Sequence, residues 1–343
     1  MKIGSRKQGI DDSRPVSTRG RLSLFPCLLS GILLAAPACD NVEWGGTELE
    51  IIPPPPSQVL AAPAANEEAV QLGLPTGPVL FHLVKGPQGS RLVPVGELSG
   101  DSLKSIRFSE GVNAAEYQKR FQETVFPVGA QFRLFRRGAP VGTFTLQAQG
   151  PLTTCGIPTA TGTATVVAAA ADADEFIAFA EGLSPEVRGQ FNPPQINGSI
   201  NTYASIVAER LILQAGLPRP RSWTGAQRDL DALEILGGGH PEMSATYLVG
   251  DSLAVGPADP QGYSIFYLAD YETARGYNPV YTEVRDYRKT GKQAPGLIDY
   301  LNWNGQPGEE MLIRVFGRTD SWYEAVALQN GRWRQVWEGD RCR

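Results

Sequence analysis

An α+β fold dominated by antiparallel sheet, with a helical middle segment and a C-terminal meander of β-hairpins, is predicted by three features of this chain. Short runs of alternating or β-branched residues recur along it, each bounded by turn residues. Gly and Pro number 38 and 27, which favours many turns and short strands over a helical bundle. Apolar residues at helical spacing are confined to a few stretches. With 42% hydrophobic and 20% charged residues the body is ordinary globular material, and roughly 270 residues beyond the N-terminal region suffice for one large or two smaller domains.

The first module, residues 73–168, opens with a hairpin in which 79–84 leads through Pro87, Gln88, Gly89 and Ser90 into 91–95. Ala114, Tyr117, Phe121 and Val125 then share one face of a helix that Pro127 stops. Residues 131–135 and 141–146 form a second hairpin across Arg137, Gly138, Ala139 and Pro140, and the Thr/Val-rich run 161–167 is a further strand. A helical segment, 169–222, follows. Residues 174–181 read as a short helix carrying Phe176, Ile177 and Phe179, and a longer helix is capped by Thr202 and ended by Gly216 and Pro218. From 223 to 343 the chain returns to antiparallel strands. Residues 230–236 fit helix or strand, but the three glycines at 237–239 and the run 245–249 favour a hairpin. Strands are expected at 263–268, 280–287, 310–316, 322–329 and 332–337, and Asn330-Gly331 between the last two is the strongest short hairpin signal a sequence offers.

The N-terminus reads as an export signal over residues 1–38. Lys2, Arg6, Lys7, Arg14, Arg19 and Arg21 precede an apolar run from 22 to 36 that Pro26, Ser30 and Gly31 break, so it is too short to span a bilayer. It ends at Ala36-Pro37-Ala38-Cys39, and this segment resembles the signal of bacterial lipoproteins, in which a small residue precedes a cysteine that receives lipid. The resemblance implies lipidation at Cys39; Ala36-Pro37-Ala38 also fits ordinary cleavage of a secreted chain. Residues 39–72, with four prolines at 53–56 and an Ala/Pro stretch near 61–65, are expected to be a disordered tether. The implied location is the cell membrane or outer membrane, facing the periplasm or the cell surface. Removing residues 1–38 leaves 25 basic against 34 acidic residues, which argues against nucleic acid as a partner.

Of four cysteines, Cys27 falls within the signal and Cys39 at its end. Cys155 and Cys342 remain, without the neighbouring Cys or His of a metal or redox motif, so outside the cytosol they are expected to form a disulfide. Closing so long a loop contributes up to about 5 kcal/mol in the chain-entropy treatment.

Residues 297–337 resemble a degenerate FG-GAP or VCBS-type repeat, in which an Asp-rich turn precedes a strand of a β-propeller blade. That resemblance marks Asn302, Asn304 and Glu309 as candidate calcium ligands, against the simpler reading of a polar Asn-Gly turn. No second copy of the repeat supports a whole propeller. The string Gly-Asp-Ser-Leu occurs at 100–103 and 250–253 and resembles the nucleophile block of GDSL-type esterases. Such chemistry needs a base and an oxyanion site beside the serine, yet His82 and His240 are the only histidines and neither follows an Asp three residues earlier. His240 reads as an exposed turn residue against a lone metal ligand or base, and Asp229 with Asp231, or Asp270 with Glu272, as solvated faces against acid–base work across a cleft. The aromatic residues Tyr281, Tyr287, Trp303, Trp322, Tyr323, Trp333 and Trp337 either pave a surface for a glycan or protein ligand or fill a sheet core, with alternation placing Trp333 and Trp337 on one face. No residue is assigned a catalytic role. The expected function is a lipid-anchored binding or envelope-assembly component, with a hydrolase using a serine or carboxylate site as the alternative.

Overall fold

The structure, a computed structural model, describes residues 72–341 except 88, 188, 237 and 238. The expected signal, the tether up to residue 71, the lipidation site Cys39 and Cys342 therefore lie outside the described residues. The α+β class, rich in antiparallel sheet and ending in hairpins, is what the fold displays.

Strands β1 (Val79–Val84), β2 (Ser90–Ser99), β4 (Gln131–Arg136), β5 (Ala139–Gln149), β6 (Ala160–Val166) and β7 (Glu175–Ala180) follow the order β1-β7-β4-β5-β6-β2. Because β2 pairs back onto β1, they close into an antiparallel barrel, and short β3 (Ser102–Lys104) is added beside β2. Closure leaves no open edge among the six. Phe81, Leu83, Phe132, Leu134, Phe144 and Phe176 fill the interior with Tyr117 and Phe121 of helix α1 (Ala114–Val125). The Phe81 and Phe132 rings meet edge-on at 5.2 Å. Helix α1 spans the expected residues, and the Asn113 side chain accepts from the Ala115 N–H at 2.9 Å to cap it.

Residues 174–181, expected as a helix, instead form strand β7 between β1 and β4, so the barrel runs past 168 to Ala180. Phe176 and Ala178 point inward while Ile177 and Phe179 face outward into a second core. Burial on both sides erases the polar alternation that marks a strand, and the remaining apolar run fits either period.

Beyond the barrel stand two four-stranded meanders. One contains β8 (Gln227–Leu233), β9 (Glu242–Val249), β10 (Tyr263–Glu272) and β11 (Gly276–Asp286); the other contains β12 (Ala294–Leu301), β13 (Glu310–Phe316), β14 (Ser321–Gln329) and β15 (Arg332–Glu338). The β12–β15 sheet is the central layer. Ile298, Leu301, Trp303, Leu312 and Ala325 pack on the outer wall of the barrel, and Tyr300, Met311, Ile313, Val315 and Val326 pack on Leu233, Phe266 and Leu268 of the other meander. The far side of that meander buries Tyr247, Tyr263, Ile265 and Tyr267 under helix α2 (Gly198–Ala215). The Tyr267 hydroxyl donates to the Ala204 carbonyl at 2.7 Å, fixing helix to sheet. The α2 cap is Asn197, not Thr202: Asn197 accepts from the Ile200 N–H, whereas Thr202 sits a turn inside and donates to Gly198. Gly216 closes the helix at φ +65°, as expected.

Strand β12 is absent from the sequence reading, because Pro295 and Gly296 near its start and the repeat-like turn after it obscure its apolar run. The expectation that Trp333 and Trp337 share a face also fails. The register shifts between Ala325 and Val326, so Trp337 lies opposite Ala325, Gln335 opposite Val326, and Val336 is the extra residue of a β-bulge. Trp333 consequently faces the β8–β11 sheet and Trp337 the barrel. Of the seven aromatics, Tyr287, Trp303, Trp322 and Trp333 are buried and the other three half-buried, so they serve the cores more than a surface.

Phe121 is fully buried, within 5.7 Å of the Tyr117 ring and 5.6 Å of the Phe126 ring. Phe121→Ala is expected to lower stability by about 3–5 kcal/mol in urea unfolding, with the m-value unchanged.

Candidate functional site

His82 interrupts an otherwise apolar strand. In β1, Phe81 and Leu83 turn into the barrel, and His82 points the other way, toward the central sheet. It is fully buried. Its Nδ1 lies 3.1 Å from the Tyr323 hydroxyl on β14, and its Nε2 lies 3.4 Å from Glu175 Oε1 on β7, within ion-pair reach but outside hydrogen-bond geometry. The carboxylate beside Nε2 favours the ring proton there, which leaves Nδ1 to accept from the Tyr323 O–H. Burial pushes the His82 pKa below the ordinary imidazole value and outweighs Glu175, which lifts it; Arg314 and Arg91 push it further down. Burial acts to raise Glu175, but contact with His82 and the charges of Arg314 and Arg136 hold it below the usual carboxylate range.

His82 and Tyr323 line a cavity of about 250 Å³ between the barrel and the β12–β15 sheet. Arg91 stands exposed on β2, Arg314 half-buried on β13, and Ser105, Thr153 and Ser321 add hydroxyls. Arg314 donates to the Ser321 hydroxyl oxygen at 3.1 Å and lies 4.8 Å over the Phe316 ring. Among the described residues, neither Arg91 nor Arg314 forms an ion pair with a carboxylate, and the Asp340 carboxylate in the wall is 3.1 Å from Arg107. The wall also contains Cys155, which is disulfide-bonded, beside Gly339 and Asp340. The sequence signal for this site was a polar residue inside an apolar run: His82 within β1 and Arg314 within β13.

Of the residues marked by sequence, Cys155, Trp322 and Tyr323 line this cavity, whereas the serine and calcium candidates lie elsewhere. Ser102, Asn304 and Glu309 line a wider cleft with Trp303, Glu310 and Trp337. Asn302 accepts from the Gly305 N–H at 2.8 Å and Asn304 from the Gln306 N–H at 2.7 Å, so both amide oxygens close their own turn. Among the described residues no group of three or more His, Cys, Asp or Glu is placed to hold a metal ion. Burial pushes both Glu309 and Glu310 up to about 7; Glu310 accepts the Trp303 N–H at 2.9 Å.

Among the described residues, neither the Ser102 nor the Ser252 hydroxyl hydrogen-bonds to a histidine, lysine or carboxylate side chain. Ser102 donates to the Ser99 carbonyl, and His240, exposed, lies with its ring 4.5 Å from that of Tyr271. The second copy is a structural clamp. The Asp251 side chain is wholly buried and takes the Ser252 N–H at 2.7 Å, the Tyr287 hydroxyl at 2.6 Å and Lys292 Nζ at 2.5 Å. Lys292 also donates to the Ala254 and Ser252 carbonyls. The expectation of solvated acids on β8 fails too, since Asp231 is largely buried and pairs with Arg137, and burial together with the negative charge of Asp231 lifts Asp229 to about 6.

No protein family, curated protein or solved structure matches this chain.

Lys292→Met would leave Asp251 buried without its cation and is expected to cost about 3–5 kcal/mol in urea unfolding. Glu310 gives a pH prediction. Its folded pKa lies above the ordinary value of 4.5, so the native state holds a proton that the unfolded chain releases, and stability falls as pH rises from 4.5 to about 7. In Glu310→Gln the slope of unfolding free energy against pH over that window should be less negative by close to one proton.

Proposed function

We propose that this chain is exported, anchored in a membrane by lipid on Cys39, and acts as a binding component whose ligand occupies the cavity between the barrel and the β12–β15 sheet. The convergence of His82, Tyr323, Arg91 and Arg314 on that cavity carries the binding part of the reading, because binding pockets combine apolar walls with a few well-placed polar groups. The basic lead, the interrupted apolar run and the Pro-rich spacer support export and tethering. In this reading signal cleavage removes Cys27 and lipid occupies Cys39, so the partner of the disulfide-bonded Cys155 is Cys342. Among the described residues, serines without a hydrogen-bonded base support binding over hydrolysis.

Expression of the full chain with an alkyne fatty acid should label a membrane-bound product that begins at Cys39, and Cys39→Ser should lose the label and accumulate as precursor. An unlabelled product starting at Met1 would contradict the anchor. Peptide mapping without reductant should join Cys155 to Cys342. Native mass spectrometry of the purified protein should show a small molecule that is lost from Ser105→Trp, which fills the cavity; retention in that variant would rule the cavity out.

A further inference from the structure

We propose that the cavity binds a small oxyanion, a carboxylate or a phosphate, between Arg91 and Arg314, and that binding draws a proton onto His82. This rests on the binding reading above and adds the ligand class and its pH dependence.

Guanidinium forks match the paired oxygens of carboxylate and phosphate, and among the described residues neither of these two forms an ion pair with a carboxylate, although the charge of Arg314 acts on Glu175. Arg91 stands exposed and Arg314 half-buried beside the same space. Among the described residues, the one carboxylate in the wall, Asp340, is engaged by Arg107 at 3.1 Å. A volume near 250 Å³ admits a compact ligand only.

His82 supplies the proton linkage. The groups that face it are Glu175 on β7, Tyr323 on β14, Arg314 on β13 and Arg91 on β2. While the ring is neutral, the Tyr323 O–H is spent on Nδ1 and the phenol offers lone pairs to the cavity, which an anion avoids. A proton taken from solvent onto Nδ1 makes that nitrogen a donor to the phenol oxygen, and the Tyr323 O–H is released to point at the ligand. The site then gains one donor and one positive charge. Burial disfavours the charged ring first and the two arginines add to this, against Glu175; an anion between the arginines offsets their repulsion, so anion and proton bind together. Affinity therefore rises as pH falls.

The test is calorimetric titration of the purified mature protein with oxalate, standing for a carboxylate ligand, and with sulfate, standing for a phosphate, at pH 5.5 and 7.5. Both probes are fully ionised across this range, so any pH effect belongs to the protein. One of them should bind about tenfold more tightly at pH 5.5, and the preferred probe identifies the oxyanion. Arg314→Gln should weaken binding about tenfold at both pH values, and Arg91→Gln, at an exposed position, provides the same test without risk to the fold. Tyr323→Phe should bind like the parent at pH 7.5 and lose most of the gain at pH 5.5. Absence of binding by either probe to folded protein would overturn the oxyanion class. If the molecule carried by the native protein is then neutral and is still displaced by Ser105→Trp, the cavity reading stands without it. Equal affinity at the two pH values, or a full gain in Tyr323→Phe, would overturn the role of His82.

Discussion

Asp299 is buried to all but 1% of its surface in the middle of strand β12, and both of its oxygens face the tip of the barrel hairpin β4–β5. One accepts the Arg137 N–H at 2.8 Å; the other lies 3.5 Å from the Arg136 guanidinium, which also reaches the Ile298 carbonyl at 2.7 Å. Arg137 continues to the third layer, donating to the Ala232 carbonyl at 2.7 Å and pairing with Asp231. A single two-residue turn thus ties the barrel, the central meander and the outer meander together. Arg137 holds φ at +48° to do so, a conformation uncommon for any residue but glycine, and Gly138 follows at +70°. Burial lifts the Asp299 carboxyl to about 6 despite the two arginines. Desolvation is thus incompletely offset, and the rivet contributes more to the placement of the three sheets than to their net stability.

That placement explains which parts of the fold were legible in the sequence. Elements with one wet face were readable: α1 carries Tyr117 and Phe121 on its buried side and charged residues opposite, and the Asn330-Gly331 turn has positive φ at both positions, the geometry a two-residue hairpin requires. Elements enclosed on both sides were read unevenly: β1, β10 and β13 were anticipated, but β7 and β12 were not. Strand β7 offers Phe176 to the barrel and Phe179 to the central sheet, and β12 offers Ile298 to one neighbour and Tyr300 to the other, so neither shows alternation. The bulge at Val336 was equally hidden, since a shift in register lies in the pairing of two strands and not in either alone.

The candidate site was less legible than the fold for a related reason. The motifs that suggest chemistry are turns: the serine of one Gly-Asp-Ser-Leu copy bonds its own loop, while the aspartate of the other anchors Lys292 and Tyr287. The informative residues were single polar groups in apolar strands. Burying His82 or Arg314 costs free energy, so each needs a compensating partner, and only the packed structure reveals that both look into the same gap.

The gap follows from the shapes of the layers. A barrel wall curves away from a meander laid against it, so close packing along Leu80, Phe135 and Phe179 gives way to open space farther along β1 and β2. Apolar side chains at that margin would leave an empty cavity; polar ones hold water or a ligand there. The acidic balance of the chain beyond residue 38, 34 residues against 25, sets the remaining constraint on an anion. Screening limits the reach of distant carboxylates to about 10 Å at 0.1 M salt, so the field inside the gap is set by nearby groups: Arg91 and Arg314 in its wall, the already paired Asp340, and Glu175 behind His82. The protein as a whole does not steer anions inward. In the proposed site, selectivity rests on local contacts and, through His82, on the state of one proton.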